Sequence, residues 1–414
     1  MKSWRTTFGL MGLILGTLTL TGCNGSSTPA SAATVLTLQR ETPLAVNLPQ
    51  GSYSQQTNDS FIFMGTIWID GDLPHDVISF SIPDQKERWR TTLPATAIQA
   101  VQIEDTLFIA TGNEDGNGHL IALAVQDGRI LWDQPQGDAH VGIGSLDNRL
   151  WVNGEAGIFE IDPATGKTLS TVFRWEKATE DNPTHPIALY TDGDRHYLAA
   201  AQARDLKVYQ ETAAGWKDHW QFRAAKRILE LIPIQWTGQT GLDLVVLGHS
   251  AAYSLQSDGA TRWRIDNSDI NQDFQSARCG ETETTAVFGN PMKGIYLVNS
   301  AGQLRAWEMP GGAYKLGIIP LPLPANANFG TTVADLNGDG QDEILSRSID
   351  KLFVFDCQGN PLAEETVGAT ASAEGEESTL TEAMRTTPLY RPLVVGMQIF
   401  VPGNSQIDLF TVKP

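Results

Sequence analysis

The sequence predicts an all-β protein, a β-propeller of four-stranded blades, and three observations carry that expectation. Tryptophans recur at nearly constant spacing, each recurrence closes a similar hairpin pattern, and outside a weak candidate at Glu376 to Arg385 no stretch of ten or more residues carries a helical period. Trp89, Trp132, Trp175, Trp220, Trp263 and Trp307 stand 43, 43, 45, 43 and 44 residues apart. About 44 residues is the length that four short strands and their turns require, the period of a propeller blade.

The hairpin is legible residue by residue. His119 to Trp132, Ala252 to Trp263 and Gly294 to Trp307 each read as an alternating strand, a turn with Asp or Ser ahead of a Gly able to take positive φ, and a second strand ending in an aromatic. Gly157 to Leu169 has the same form, with Trp175 further downstream. Another strand pair precedes each hairpin, for example Ala97 to Ile103 and Thr106 to Ala110 joined through Glu104 and Asp105. Units fall near 60–92, 97–135, 138–176, 185–224, 228–266, 283–310, 328–365 and 386–412, the sixth and eighth short. That makes eight blades, with seven as the alternative count. The last unit is completed by an N-terminal strand, either Thr34 to Gln39 or Leu44 to Leu48, which joins the chain ends and removes a free sheet edge. The propeller then spans 34–414, interrupted by an acidic insertion at 366–385 rich in Ala, Ser, Thr and Glu, which reads as a mobile surface loop.

Ahead of the propeller, Lys2 and Arg5 precede an apolar run from Phe8 to Leu20 that is too short to span a bilayer and reads as an export signal over 1–22. Leu20-Thr21-Gly22-Cys23 resembles the lipobox of bacterial lipoproteins, which implies lipidation of Cys23 and attachment to a membrane without a spanning helix. Asn24 follows the lipidated Cys, and in the lipoproteins this resembles that favours the outer membrane, at its periplasmic face. Residues 23–33 form a flexible tether, so the propeller stays within roughly 35 Å of its lipid.

The formal charge of −19 becomes −21 once the two cations of the signal are removed, which argues against a nucleic-acid ligand. Two further cysteines, Cys279 and Cys357, are either a bridge or two buried thiols, and spacing alone leaves both open. The seven histidines, His75, His119, His140, His185, His196, His219 and His249, are scattered, and each reads as a surface residue at a blade turn. Hydrolase signatures such as His-Glu-x-x-His and Gly-x-Ser-x-Gly are missing.

The repeated hairpin, Asp-x-x-Gly or Asp-Gly between strands and Trp at the end, resembles the PQQ-like repeat of quinoprotein dehydrogenases and of the BamB-type lipoprotein of the outer-membrane barrel assembly machinery. A second resemblance sits in the seventh unit. Asp335, Asn337 and Asp339 occupy loop positions 1, 3 and 5, Gln341 offers a backbone carbonyl at 7, and Glu343 stands at 9, with Asp342 a substitute for it. Alternating oxygens folded back by Gly338 and Gly340 are what a hard cation needs. The loop resembles the FG-GAP or integrin-type calcium loop, which implies bound Ca²⁺. Degenerate echoes at Asp192-Gly193-Asp194 and at Gly241-Leu242-Asp243 read as turns.

Together these features imply a non-enzymatic, membrane-anchored scaffold that binds a membrane-associated protein partner, in the BamB-type resemblance during outer-membrane protein assembly. A calcium-dependent glycan or adhesion module is one alternative. A PQQ-dependent oxidoreductase is another, disfavoured because the enzymes it resembles carry an adjacent Cys-Cys pair and roofing excursions for which blades of about 44 residues leave no room. The oligomeric state is not legible in the chain.

Overall fold

The structure is a computed structural model. It describes residues 35–413 except 47, 49–52, 58, 66–74, 113–117, 137–140, 177–184, 267–271, 281–283, 291–293, 308–312, 315–322, 325–329, 349–350, 368–389 and 404–405. Residues 35–414 form one compact unit. It is all-β, with eight four-stranded antiparallel blades arranged as a propeller and a small separate hairpin, Ala313–Tyr314 with Leu323–Pro324.

Blade 1 is Tyr53–Gln56, Ser60–Met64, His75–Ser81 and Lys86–Leu93, and blade 2 runs Thr96–Ile103, Thr106–Gly112, His119–Ala124 and Ile130–Pro135. Blades 3 to 5 repeat the order with inner strands Gly142–Leu146, Ile187–Asp192 and Ile228–Ile234 and outer strands Thr168–Phe173, Gly215–Arg223 and Thr261–Asp266. Blade 6 is complete. Gln272–Arg278 supplies the inner strand that the 283–310 unit omits, because this polar strand carries no apolar alternation to announce it. Blade 7 is Thr331–Ala334, Glu343–Arg347, Lys351–Phe355 and Pro361–Thr366. In blade 8 the strands Leu393–Val395, Gln398–Pro402 and Gln406–Lys413 accept Thr37–Arg40 as the outer strand, and Leu44–Ala45 pairs further along the same third strand. Both N-terminal segments therefore take part in the closure. Arg40 fastens it by an ion pair of 2.7 Å to the buried Asp408.

Successive side chains point to opposite faces, so the continuous apolar runs of the central strands cover both faces of a blade, and stacking the blades buries them. Among the described residues eight apolar clusters result, each shared by two consecutive blades. The cluster joining Phe61 and Phe63 of blade 1 to Phe400 and Leu409 of blade 8 shuts the ring, and the Tyr390 hydroxyl donates to the Met64 carbonyl across that joint. Near the axis, where inner strands of neighbouring blades approach one another, glutamines tie backbone to backbone. Gln275 accepts from Val333 N–H at 3.0 Å and donates to the Thr331 carbonyl at 2.9 Å, and Gln99 accepts from Ile143 N–H at 3.1 Å.

The repeated tryptophan closes one blade against the next. Gly128 in the blade 2 hairpin turn has φ +70°, and a Cβ there would lie 2.5 Å from the Trp89 ring of blade 1. The indole N–H of Trp89 meanwhile donates to the Val125 carbonyl of that turn at 2.7 Å. Gly166 under Trp132, Gly259 under Trp220, Gly302 under Trp263 and Gly359 under Trp307 repeat the contact. Trp175 keeps the spacing but not the role: its N–H donates to Asn153 within blade 3, and no side chain covers Gly215 in blade 4. There Asn153, fully buried, bonds the Pro186 and Ala201 carbonyls of blade 4 instead.

Cys279 and Cys357 form a disulfide, with Cα atoms 5.4 Å apart. Of the two readings left open by spacing, the bridge is the one found, because the loop after the inner strand of blade 6 and the hairpin turn of blade 7 meet at the same end of their shared seam. His185 is buried beside Gly142 rather than exposed, since the chain entering blade 4 is drawn under the inner strand of blade 3. Residues 1–34, with Cys23, the segment read as an export signal and the whole 23–33 tether, lie outside the described residues, as do positions 368–385 of the acidic insertion.

Candidate functional site

The blade 7 loop joins the inner strand ending at Ala334 to the second strand beginning at Glu343. Gly338 and Gly340 both take positive φ, +76° and +86°, and curl the chain so that its oxygens turn inward. The Asp335 carboxylate accepts from the N–H groups of Gly338 at 2.7 Å and Gly340 at 3.0 Å. The Asn337 side-chain oxygen accepts from Asp339 N–H, and the Asp339 carboxylate from Gln341 N–H, both at 2.8 Å. Glu343 closes the ring, accepting from Leu336 N–H at 2.7 Å and from the Asn337 amide at 2.9 Å.

Glu343 is 4% exposed. Burial pushes its carboxyl up to about 7, and the charges of Asp339, Asp335 and Asp342 add to the rise. Asp342, the substitute at position 9, is committed elsewhere: it accepts from Arg278 N–H at 2.7 Å and from the Arg278 guanidinium at 3.1 Å, across the seam to blade 6. The side chain of the ninth position is therefore that of Glu343, which faces into the loop, and Asp342 is a seam residue placed beside the disulfide.

Blade 5 has a counterpart displaced by 100 residues throughout. Asp243 pairs with Ile234 as Glu343 pairs with Ala334, and Val245 opposes Ser254 as Leu345 opposes Val354. Asp243, which the Gly241-Leu242-Asp243 echo presents as a bare turn residue, is buried and holds four donor contacts. Trp236 Nε1 donates to it at 3.0 Å, Ser254 Oγ at 2.7 Å, and Arg262 through two nitrogens at 2.5 and 3.1 Å. At the equivalent blade 7 positions stand Leu336, Val354 and Leu362. One buried acid thus has a built-in guanidinium, whereas the other has lost all three side-chain donors and sits among further acids.

The donor set of blade 7 fits a hard divalent cation in kind and order: Asp335, Asn337, Asp339, the Gln341 carbonyl and Glu343. In the present conformation the side-chain oxygens serve the loop's own N–H groups, and among the described residues no three acidic, His or Cys side chains converge on one metal position. The other echo, Asp192-Gly193-Asp194, is a tight turn in which Gly193 takes φ +60° and no atom approaches its Cβ position. Sequence reading missed the partners Arg278 and Arg262. The 100-residue offset is the signal that could have found Arg262, since it aligns an arginine on blade 5 with a leucine on blade 7.

A ring of eight four-stranded blades, five of whose seams carry a Trp-on-Gly contact, defines the class: the chain is an eight-bladed β-propeller. A family model described as outer membrane protein assembly factor BamB matches residues 63–157, from the second strand of blade 1 to the start of the third strand of blade 3. Comparison with curated proteins returns no match. Among solved structures, BamB from Moraxella catarrhalis is similar, with a TM-score of 0.54 at 13% identity over 91% of this chain and 100% of that one. The Dos1 propeller gives 0.59 at 11% identity over 90% and 95% of the two chains. A quinohemoprotein alcohol dehydrogenase from Comamonas testosteroni gives 0.52 at 10% over 91% and 76%. At such identities the likeness is one of fold alone, shared by an assembly factor and an oxidoreductase.

Proposed function

We propose that the protein is a non-enzymatic scaffold, anchored through lipid on Cys23 at the periplasmic face of the outer membrane, that holds a membrane-associated partner during outer-membrane protein assembly. The observation that carries the reading is the match of residues 63–157 to the outer membrane protein assembly factor BamB model, taken with the lipobox at Leu20 to Cys23. The acidic charge supports it, since an anionic domain stands off anionic lipid and reaches toward a protein. Affinity purification of the full chain from mild detergent tests the reading: an envelope protein complex is the expected recovery, and a bare monomer from every extract would overturn it. Replacing Cys23 by Ser should move the protein from the membrane to the soluble fraction.

Ca²⁺ in the blade 7 loop belongs to the same proposal. Glu343 lacks the arginine that neutralises Asp243, and a divalent ion held by Asp335, Asn337, Asp339 and Glu343 would supply the missing positive charge. The ion would stiffen one blade rather than perform chemistry. Millimolar CaCl₂ added to chelator-treated protein should raise Tm by several degrees through mass action, and Asp335→Ala with Asp339→Ala should abolish the rise. An unchanged Tm would leave the loop a metal-free turn.

A further inference from the structure

The blade 7 loop is not held by blade 7 alone. Asp342, its last residue before the second strand, is fixed by the end of the blade 6 inner strand. Its N–H donates to the Arg278 carbonyl at 2.9 Å. Its carboxylate accepts from Arg278 N–H at 2.7 Å and from the guanidinium at 3.1 Å, and its carbonyl oxygen lies 3.4 Å from Cys357 Sγ. The next residue is Glu343, whose carboxylate faces into the loop, so the placement of Asp342 sets where the oxygens of loop position 9 stand.

Arg278 is fixed in turn by the residue after it. Cys279 is bonded to Cys357 in the blade 7 hairpin turn, whose Gly359 lies under Trp307. The end of the blade 6 strand is thereby clamped between two parts of blade 7, the turn through sulfur and the loop through Asp342. Three residues earlier Gln275 bonds the Val333 N–H and the Thr331 carbonyl, which joins the two inner strands whether or not the bridge is closed. Opening the bridge therefore loosens Arg278 and Asp342 without parting the seam. With its side chain 61% exposed, Arg278 gains about 1 kcal/mol or less from the ion pair itself, so the covalent link is what keeps the pair formed. Once loosened, the guanidinium has a second carboxylate within reach, that of Asp335 at loop position 1, 3.9 Å away. There it competes with a metal ion for the first ligand, just as Arg262 neutralises Asp243 in blade 5.

We propose that the Cys279–Cys357 bridge is a positioning element of the blade 7 loop: acting through Arg278 and Asp342, it raises the affinity for Ca²⁺, and bound Ca²⁺ in turn opposes opening of the bridge. The proposal rests on the calcium reading above and deepens it. Both effects are one coupling free energy and are equal in size. Opening is thiol–disulfide exchange: a dithiol attacks one sulfur, forms a mixed disulfide and closes its own ring. Two electrons and two protons pass to the protein, and the dithiol is oxidised.

The test is calorimetric titration of CaCl₂ into the chelator-treated full chain in detergent, well below the melting temperature. Cys279→Ser with Cys357→Ser should bind Ca²⁺ about tenfold more weakly than wild type while circular dichroism shows it folded. Gly128→Ala, which destabilises the distant seam between blades 1 and 2, should keep the wild-type affinity within about twofold and so separates positioning from general loss of stability. Asp342→Ala with the bridge intact should weaken binding as the cysteine variant does, and combining the two should cost no more than about twofold beyond either alone. In mixtures of reduced and oxidised dithiothreitol, approached from both the bridged and the open protein, saturating CaCl₂ should move the midpoint of opening toward more reducing mixtures by about the same tenfold. An equal loss in Gly128→Ala, additive losses with Asp342→Ala, or a midpoint indifferent to Ca²⁺ would each overturn the proposal. If Ca²⁺ binds wild type and the cysteine variant alike, the calcium reading stands and the bridge has no part in it. If wild type takes up no Ca²⁺, the calcium reading fails and the bridge proposal with it.

Discussion

At the scale of single residues, what matters is which side chain or backbone a position is pressed against. Gly128 and Gly193 illustrate it: both take positive φ, +70° and +60°, but only Gly128 lies under a tryptophan. Alanine at Gly193 meets open space and should cost about 1 kcal/mol for the left-handed backbone alone. Alanine at Gly128 adds a collision with the Trp89 ring and should cost about 2–4 kcal/mol. Urea denaturation of the two variants checks this, and equal losses would mean that the indole moves aside freely. Both glycines read as turn residues in the sequence. The tryptophan above one of them comes from another blade, which no local pattern shows.

At the scale of elements, the seam between blades 3 and 4 is built differently from its neighbours. Trp175 packs into the apolar cluster of that seam without covering the glycine of the next hairpin turn, and a surface network contributes beside it. Glu211 on blade 4 accepts from Arg149 of blade 3 at 2.5 Å and meets His196 Nδ1 at 3.0 Å, while Arg149 also reaches Glu160 at 2.9 Å. Burial alone would raise the Glu211 carboxyl, but the bonds from Arg149 and His196 outweigh it and hold the group below its ordinary 4.5. A depressed carboxylate stabilises the fold above its unfolded pKa and loses that contribution as pH falls through the folded value. Glu211→Gln should therefore be less stable than wild type at pH 6, by up to about 1 kcal/mol for so exposed a network, with the gap closing below pH 4.5. Thermal melts of both proteins between pH 3 and 7 measure it, and a gap that widens in acid would reverse the assignment.

At the scale of the whole molecule, three fastenings hold the ring: the N-terminal strand on blade 8, the Tyr390 bond from blade 8 to blade 1, and the disulfide between blades 6 and 7. The disulfide spans 78 residues of sequence, and a loop of that length implies a loss of about 4 kcal/mol in the chain-entropy account when it is opened. Cys279→Ser with Cys357→Ser should lower Tm accordingly, and dithiothreitol should lower the wild-type Tm but not that of the variant. Indifference of wild type to reductant would show that the bridge does not form in the folded protein. The bridge stands beside Asp342 and Arg278, so the side of the seam that carries the blade 7 loop is braced twice.

The sequence by itself determined the fold class and the limits of most blades, and favoured eight blades over seven, a choice the tertiary structure settled at eight. Hairpin turns, strand alternation and the tryptophan period are local and repeat, so each copy corrects the reading of the others. The inner strands of blades 1 and 6, Tyr53–Gln56 and Gln272–Arg278, escaped, each carrying polar residues where its neighbours are apolar. The tertiary structure decided what depends on partners distant in the chain. It bonded Cys279 to Cys357, turned Asp342 away to Arg278 and Glu343 into the loop, and gave Asp243 an arginine that Glu343 lacks. Local propensity selects strand and turn within a few residues, whereas charge compensation and bridging depend on which blades lie side by side, and that is settled only when the ring closes.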